Sequence, residues 1–254
     1  MNEIDSLIAR AAEVLATRSP VVAFTGAGIS VESGIPPFRG PGGLWSRYDP
    51  MVLDIGRFYR DPRSSWVTIK EIFYDYFGAA QPNAAHRVLS AWEQRGLLAA
   101  IITQNIDGLH QDAGSTTVVE YHGASSHLRC DRCGTRVIAE ESHLEVLPPL
   151  CPAGHPLRPD FVFFGEPIPA EAQSESWRLM GEAEVVVIVG STGEIYPASQ
   201  LPYHAASRGA RIIEINPEPS NYTAAITDIH IPLPATEAFE QLEKLFTRST
   251  QRRR

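Results

Sequence analysis

The sequence predicts an α/β protein built on a Rossmann-like parallel sheet with helices on both faces. Short apolar runs rich in valine and isoleucine recur along the 254 residues, and segments of helical length separate them. The runs give way to polar loops, often at glycine, which is typical of buried parallel strands. Since ligands of such sheets bind at the carboxyl ends of the strands, these loops are the candidate site.

The first predicted strand carries the most informative loop. Apolar residues at helical spacing from Ile4 to Leu15 predict a surface helix, and the run 21–25 then predicts a buried strand that ends in Gly26–Ala27–Gly28. Glycines there let backbone N–H groups approach a phosphate. The usual dinucleotide fingerprint would place another glycine where Val31 stands. The loop therefore indicates a nucleotide site, but not an ordinary dehydrogenase.

Three later runs also predict strands, and each is followed by a polar loop: 97–102 with 103–110, 185–189 with 190–193, and 211–215 with 216–218. A parallel arrangement would bring all of these loops to one edge of the sheet. A shorter run at 118–121 precedes His122, and helices expected at 168–183 and 235–247 would cover the sheet.

Two insertions interrupt this pattern. Residues 36–81 begin rich in glycine, proline and aromatic residues and continue as a predicted helix at 62–77. Residues 124–159 hold all three cysteines and show little periodicity. Three cysteines in a chain of this length exclude a disulfide scaffold and leave metal binding or catalysis open.

Composition restricts the function less. A chain with 43% hydrophobic and 20% charged residues is ordinary for a soluble globular protein. A net charge of −8 argues against nucleic acid as a primary partner, because phosphate binding needs a basic surface. No apolar stretch has the length of a membrane span, and no targeting signal is apparent. We expect a cytoplasmic protein without membrane association; the oligomeric state is not indicated.

Taken together, these segments resemble the sirtuins, the NAD-dependent protein deacylases, of the short bacterial or archaeal type. The matching motifs are GAGIS with SGIP and FR at 26–39, TQNID at 103–107, HG at 122–123, the cysteine pair at 130 and 133, LRP with FFGE at 157–166, GST with YPA at 190–198, and Asn216. The resemblance implies a large NAD-binding domain (1–35, 82–123 and 160–254), a helical insertion (36–81) and a small zinc-binding module (124–159).

The resemblance also implies an activity. NAD would be consumed to remove acyl groups from protein lysines, which gives nicotinamide, O-acyl-ADP-ribose and free lysine. His122 would be the general base, a role that suits an imidazole near neutral pH, and Asn105 would orient the reacting groups. NAD would contact Gly26, Ala27, Gly28, Ser30, Phe38, Arg39, Gln104, Asn105, Ile106, Asp107, Gly190, Ser191, Thr192 and Asn216. A helix cap or Asx-turn is the alternative for Asp107.

The acylated peptide would bind as an added strand between two segments. These are Val162, Phe164, Gly165 and Glu166 on one side and Gly193, Glu194 and Ile195 on the other. Two alternatives use the same scaffold: a mono-ADP-ribosyltransferase, in which another nucleophile intercepts the reactive sugar, and an NAD-binding sensor without turnover.

The acyl group is expected to be neutral. Sirtuins that prefer succinyl or malonyl groups carry a Trp-x-x-Tyr-x-x-Arg pattern, whose tyrosine and arginine bind the acyl carboxylate. Counting from Trp66, this chain has Ile69 and Ile72 at those two places. A buried carboxylate without a cation is costly. Alternatively, the two isoleucines are only the core face of the helix at 62–77.

The cysteines predict a structural zinc site that departs from the family pattern. Cys130, Cys133 and Cys151 have ordinary zinc-ligand spacing, but Gly154 stands where sirtuins usually supply a fourth cysteine. We predict that His155 is the fourth ligand. The alternatives are completion of the site by water, His127 or His143, and a module without metal.

Overall fold

The structure is a computed structural model that describes residues 3–38, 42–76 and 78–251. Arg39, expected to contact NAD, and Phe77, the end of the helix expected at 62–77, lie outside these ranges. The described strands are β1 (Val21–Thr25), β2 (Ala100–Thr103), β3 (Val118–Glu120), β4 (Gly123–Arg129), β5 (Arg136–Ile138), β6 (Arg158–Phe161), β7 (Val185–Val189), β8 (Arg211–Ile215) and β9 (Ile229–Ile231). The described α-helices are α1 (Glu3–Thr17), α2 (Ile55–Arg60), α3 (Pro62–Lys70), α4 (Ala84–Gln94), α5 (Leu109–Asp112), α6 (Ala170–Glu182), α7 (Gln200–Ser207) and α8 (Ala235–Gln251).

Six strands form one parallel sheet in the order β3-β2-β1-β7-β8-β9. Thr25 at the end of β1 pairs with Thr103 of β2 on one side and with Val189 of β7 on the other. The loops that follow these strands therefore meet at one edge, which confirms the predicted fold class. The predicted strand at 97–102 begins later, at Ala100, because Leu97 and Leu98 still hydrogen-bond to Trp92 at the end of α4.

Helices cover both faces of the sheet. Successive residues of β1 point to opposite sides, so that Val21 and Ala23 belong to one apolar cluster and Val22 and Phe24 to another. Helices α1, α4 and α8 pack on the first face, and α6 and α7 pack on the second. Helix α6 matches the predicted 168–183 closely, and α8 continues four residues beyond the predicted end at 247.

The helical insertion differs from the single helix predicted at 62–77. Helix α3 ends at Lys70, and the chain continues as a π-helix over Glu71–Tyr76. A π-helix turns less per residue than an α-helix and so changes which side chains face inward. Across this junction Ile69, Ile72 and Phe73 are buried, and their spacing is that of an ordinary helical core face.

A second sheet is formed by the cysteine-containing module. Its three antiparallel strands have the order β5-β4-β6 and extend from Gly123 to Phe161, slightly beyond the predicted 124–159. The module and the helical insertion share one apolar cluster, and Trp66 Nε1 of α3 donates to the carbonyl of Leu157 at 2.7 Å. Within the described ranges, no helix combines the length and apolarity that a membrane crossing requires.

Candidate active site

A crevice of about 600 Å³ opens at the carboxyl edge of the parallel sheet. Its walls come from the loops after β1, β2, β3, β7 and β8, from the helical insertion and from the segment that begins at Phe161. The predicted site residues that line it are Gly26, Ala27, Gly28, Phe38, Gln104, Asn105, Ile106, His122, Val162, Phe164, Gly165, Glu166, Gly190, Ser191, Thr192, Glu194, Ile195 and Asn216. Three other predicted residues that the structure describes, Ser30, Asp107 and Gly193, do not line it.

The loops after β1 and β7 touch through their backbones at the floor of the crevice. The N–H of Gly26 donates to the carbonyl of Val189, and the N–H of Gly28 donates to that of Gly190, both at 2.9 Å. A Cβ on Gly28 would lie 2.4 Å from the Cα of Gly190, whose φ is +60°. Glycine is therefore required on both sides of the contact.

Side-chain amides join the ends of β2, β7 and β8. Gln104 Nε2 donates to Ser191 Oγ at 3.0 Å, and Asn216 Nδ2 donates to the carbonyl of Ser191 at 2.9 Å. Asn216 is held in turn by the fully buried Glu214, whose Oε1 lies 3.2 Å from Nδ2. The amide groups of Gln104 and Asn216, both predicted to contact NAD, are thus held in place by hydrogen bonds within the fold.

Asn105 is oriented by two residues behind the wall. Its Nδ2 donates to Ser30 Oγ at 3.1 Å, and Ser30 donates to Asp107 Oδ2 at 2.7 Å. The other Asp107 oxygen accepts from the N–H of Leu109 at 3.0 Å, which is the Asx-turn considered from the sequence. Burial raises the pKa of Asp107, and these hydrogen bonds partly oppose that shift.

A series of buried hydrogen bonds holds the end of β2 in place. The Thr25 hydroxyl donates to Thr103 Oγ1 at 2.9 Å, and the same Thr103 oxygen accepts from the N–H of Asn105 at 3.1 Å. His110 Nε2 lies 2.9 Å from Thr25 Oγ1, and the His110 ring packs 4.9 Å from that of His86. Burial lowers the pKa of His110 to about 3 and that of His86 to about 4, so both rings are neutral.

His122 follows β3 and lines the crevice beside Gln104 and Asn105. Its Nδ1 lies 3.0 Å from the carbonyl of Gln104. Since a carbonyl only accepts, Nδ1 carries the proton and Nε2 remains the basic nitrogen. Burial lowers the pKa of His122, and the hydrogen bond to Gln104 partly opposes this effect.

The segment predicted to bind peptide runs directly past His122. The N–H of Val162 donates to the carbonyl of His122 at 2.8 Å. The N–H of Phe164 donates to Leu53, and its carbonyl accepts from Ile55. The main chain of Phe164 is therefore already used within the fold, while its ring is 43% exposed at the rim.

Part of the apolar wall could not be predicted from the sequence. Trp45, Leu53 and Ile168 line the crevice, and the Trp45 ring lies 5.4 Å from that of Phe38. Trp45 and Leu53 lie among glycines and prolines, where no periodicity tells which side chains point inward. Their apolar and aromatic composition was the only signal available. None of the described lining residues is a lysine or an arginine.

Outside the crevice, Cys130, Cys133, Cys151 and His155 form a cluster whose ligand atoms all lie within 4.8 Å of one another. Cys133 Sγ is 3.6 Å from Cys151 Sγ, which in turn is 3.8 Å from His155 Nδ1. A tetrahedral zinc with Zn–S bonds of about 2.3 Å separates its sulfurs by about 3.8 Å, so the four groups fit this metal.

The local backbone explains why His155 takes the place of a fourth cysteine. Gly154 has a φ of +79°, and its N–H donates to the carbonyl of Cys151 at 2.8 Å. This turn brings His155 back to Cys151. The hydrogen bond from Thr135 lowers the pKa of Cys133 to about 6, which favours the thiolate that a metal needs. In the described part of the chain, the alternative ligands His127 and His143 do not belong to the cluster.

The fold and the crevice define an α/β nucleotide-binding protein whose crevice has a glycine-lined floor, an apolar wall and a histidine in its lining. Comparison with known proteins is consistent with this class. The family model described as "Sir2 family" matches residues 26–197. The NAD-dependent protein deacylase of Aeropyrum pernix is 45% identical, over 92% of this chain and 95% of its own length. The NAD-dependent protein deacylase 2 of Pyrobaculum aerophilum is 45% identical, over 91% and 92%.

Solved structures give the same result. A Sir2 with a p53 peptide and NAD⁺ has a TM-score of 0.87 and 34% identity, and the alignment covers 94% of this chain and 98% of that one. A Sir2 with a deacetylated p53 peptide and 3′-O-acetyl ADP-ribose has a TM-score of 0.89 and 33% identity, with the same coverage. The chain belongs to the Sir2 family, which confirms the resemblance to the sirtuins.

The buried position of His122 predicts a neutral ring at mildly acidic pH. Because burial lowers its pKa from the usual 6.5, the ring should stay neutral at pH 6.5 and gain a proton only at lower pH. Histidine-selective NMR between about pH 4 and 8 measures this titration, and the signal that disappears in His122→Ala assigns it. A midpoint at or above pH 6.5 would contradict the interpretation.

Proposed function

We propose that the protein is an NAD-dependent protein lysine deacylase. The observation that carries the proposal is the position of His122. Its ring shares one crevice with the glycine-lined floor after β1 and β7 and with the segment that starts at Val162. The relatives named above, and the Sir2 structures that contain NAD⁺ or a p53 peptide, support the same activity.

NAD would be a co-substrate bound along the carboxyl edge of the sheet. The backbone at Gly26–Gly28 and Gly190–Thr192 would face the pyrophosphate, and Asn216 and Gln104 would contact the two riboses. Asn105, held by Ser30, would orient the reacting groups. Asp107 does not line the described crevice, so its proposed role in NAD binding would run through Ser30 and Asn105.

His122 would act as the general base. With its Nδ1 proton bonded to the carbonyl of Gln104, its Nε2 can take a proton from a ribose hydroxyl. The acyl oxygen would first attack the anomeric carbon of NAD, which breaks the bond to nicotinamide and releases it. The ribose hydroxyl deprotonated by His122 would then attack the acyl carbon, and addition of water would release free lysine and O-acyl-ADP-ribose. Aromatic walls at Phe38, Trp45 and Phe163 would keep other nucleophiles away from the reactive sugar.

The cysteine module would hold one structural zinc ion through Cys130, Cys133, Cys151 and His155. A bound zinc would supply folding free energy to a small module whose own apolar core is limited. These residues do not line the described crevice, so no catalytic step is assigned to the metal.

The substitution His122→Ala should reduce turnover by about 10²–10⁴-fold, since that is the usual contribution of a general base. NAD affinity should change far less. The assay follows nicotinamide release and peptide mass with an acetyl-lysine peptide, and His204→Ala on helix α7 is the matched control. Near-normal deacylation by His122→Ala would contradict its role. Transfer of an ADP-ribose mass to protein would favour the transferase, and no reaction of the wild type would favour the sensor.

Acetyl-lysine peptides should be turned over faster than succinyl-lysine peptides of the same sequence. No described lining residue of the crevice carries a positive charge, so a buried succinyl carboxylate would lack a cation. Ile69 and Ile72 are buried and lie outside the described lining, as expected for the core face of the helix. The comparison is of kcat/KM for the two peptides, and a higher value for succinyl-lysine would show that the inference is wrong.

The substitution His155→Ala should lower zinc content and melting temperature together, because it removes one of the four proposed ligands. Metal analysis of wild-type protein purified without added zinc should find about one zinc per chain. The control is His143→Ala, which lies in the same module outside the cluster. Full zinc occupancy and unchanged melting in His155→Ala would reject this ligand, and a metal-free, active wild type would reject the site.

A further inference from the structure

The segment with the proposed peptide contacts is closed into a turn by Glu166. The N–H of Phe163 donates to Glu166 Oε2 at 2.9 Å, and the N–H of Glu166 donates back to the carbonyl of Phe163 at 3.1 Å. Phe164 and Gly165, which line the crevice, lie at the tip of this turn. The Glu166 carboxylate therefore fixes the conformation that presents them.

Arg158, the first residue of β6, binds the same carboxylate. Its Nη2 donates to Glu166 Oε1 at 2.6 Å and its Nη1 to the carbonyl of Phe161 at 3.2 Å. The guanidinium also lies 5.0 Å from the centre of the Phe163 ring, and its side chain is only 1% exposed. A charge this deeply buried is costly to leave without its partners, so the arrangement is strongly fixed.

A third hydrogen bond of Arg158 reaches the loop between Cys130 and Cys133. Its Nε donates to Asp131 Oδ2 at 2.7 Å, and Asp131 stands between Cys130 and Cys133. The hydroxyl of Tyr59 on α2 donates to the same oxygen at 2.7 Å. Asp131 itself does not line the described crevice. The buried guanidinium of Arg158 thus joins the loop between two proposed metal ligands to the turn at the crevice. The more exposed Arg129 reinforces this link, since its Nε lies 3.1 Å from Asp131 Oδ1 and its Nη2 lies 3.5 Å from Glu166 Oε1.

We propose that Arg158 is a positioning residue for the acylated peptide, which sets the turn at 163–166 relative to the cysteine cluster by binding Glu166 and Asp131 together. This inference rests on the proposed function, because peptide recognition is part of it. It has two consequences. Glu166 acts through its bonds within the fold and not as a direct ligand of the peptide. Asp131 controls peptide binding although it lies outside the crevice.

The test is a separate measurement of KM for an acetyl-lysine peptide and for NAD in Glu166→Gln and Asp131→Asn. Each variant should raise the peptide KM by about tenfold, the scale of one lost hydrogen bond to a charged group, and change the NAD KM less than about twofold. The double variant should show less than the product of the single effects, because both carboxylates act through the same arginines, chiefly the buried Arg158. Arg158→Lys should act in the same direction, since one ammonium cannot replace a guanidinium fork.

Glu175→Gln is the matched control, because Glu175 is also bound by an arginine, Arg178, but on the exposed surface of α6. It should leave both KM values unchanged. Zinc content and melting temperature are measured for every variant. If Asp131→Asn loses zinc, the proposal is tested by the peptide KM of Glu166→Gln alone. A peptide KM within about twofold of wild type in Glu166→Gln would overturn the proposal even if the melting temperature fell. The contacts of Arg158 with Glu166 and Asp131 would then contribute only to stability.

Binding of a fluorescent acetyl-lysine peptide, followed by anisotropy without turnover, separates this inference from the proposed function. A wild type that binds the peptide but releases no nicotinamide would refute the proposed deacylase activity. The peptide Kd of Glu166→Gln would still test whether Arg158 positions the peptide through Glu166. A tenfold weaker Kd supports it, and an unchanged Kd overturns it. A wild type that does not bind the peptide overturns both.

Discussion

The crevice depends on the close backbone approach of the loops after β1 and β7. At Gly28 and Gly190 two segments of the chain pass with no room for a side chain between them. This contact makes one continuous floor out of loops that are separated by more than 150 residues in sequence. The polar groups above it, from Gln104 to Asn216, reach one another because strand pairing holds β2, β1, β7 and β8 in register. The order of the site is thus inherited from the parallel sheet.

The features that sequence could predict are those with a strong local signal. Valine-rich runs that end in glycine or polar loops identify the central strands, and their parallel order brings the predicted loops together. The spacing of the three cysteines and of His155, one residue after Gly154, predicts a cluster of metal-binding side chains. What could not be predicted depends on contacts between distant segments. The π-helix at Glu71–Tyr76 has no distinctive pattern, and the inward direction of Trp45 and Leu53 is set by packing against the cysteine module.

Asp107 illustrates a different limit of sequence reasoning. It lies in the same loop as Asn105, and a motif treats both as site residues, yet only Asn105 lines the described crevice. The backbone turns between them, so Asp107 faces Ser30 and the start of α5. Residues of one motif can therefore have different positions: one lines the crevice, and the other holds the first in place. Hydrogen-bond geometry separates the two, whereas spacing cannot.

The charges on the walls of the crevice have a consequence for how an anion would be held there. Glu32, Glu166 and Glu194 line it, whereas none of the described lining residues is a lysine or an arginine. The described residues would therefore bind an anion through dipoles, such as backbone N–H groups and side-chain amides, and not through ion pairs. Counterions screen exposed charges, including the repulsion between an anion and these carboxylates. Added salt should therefore not weaken the binding of an anion by the described residues.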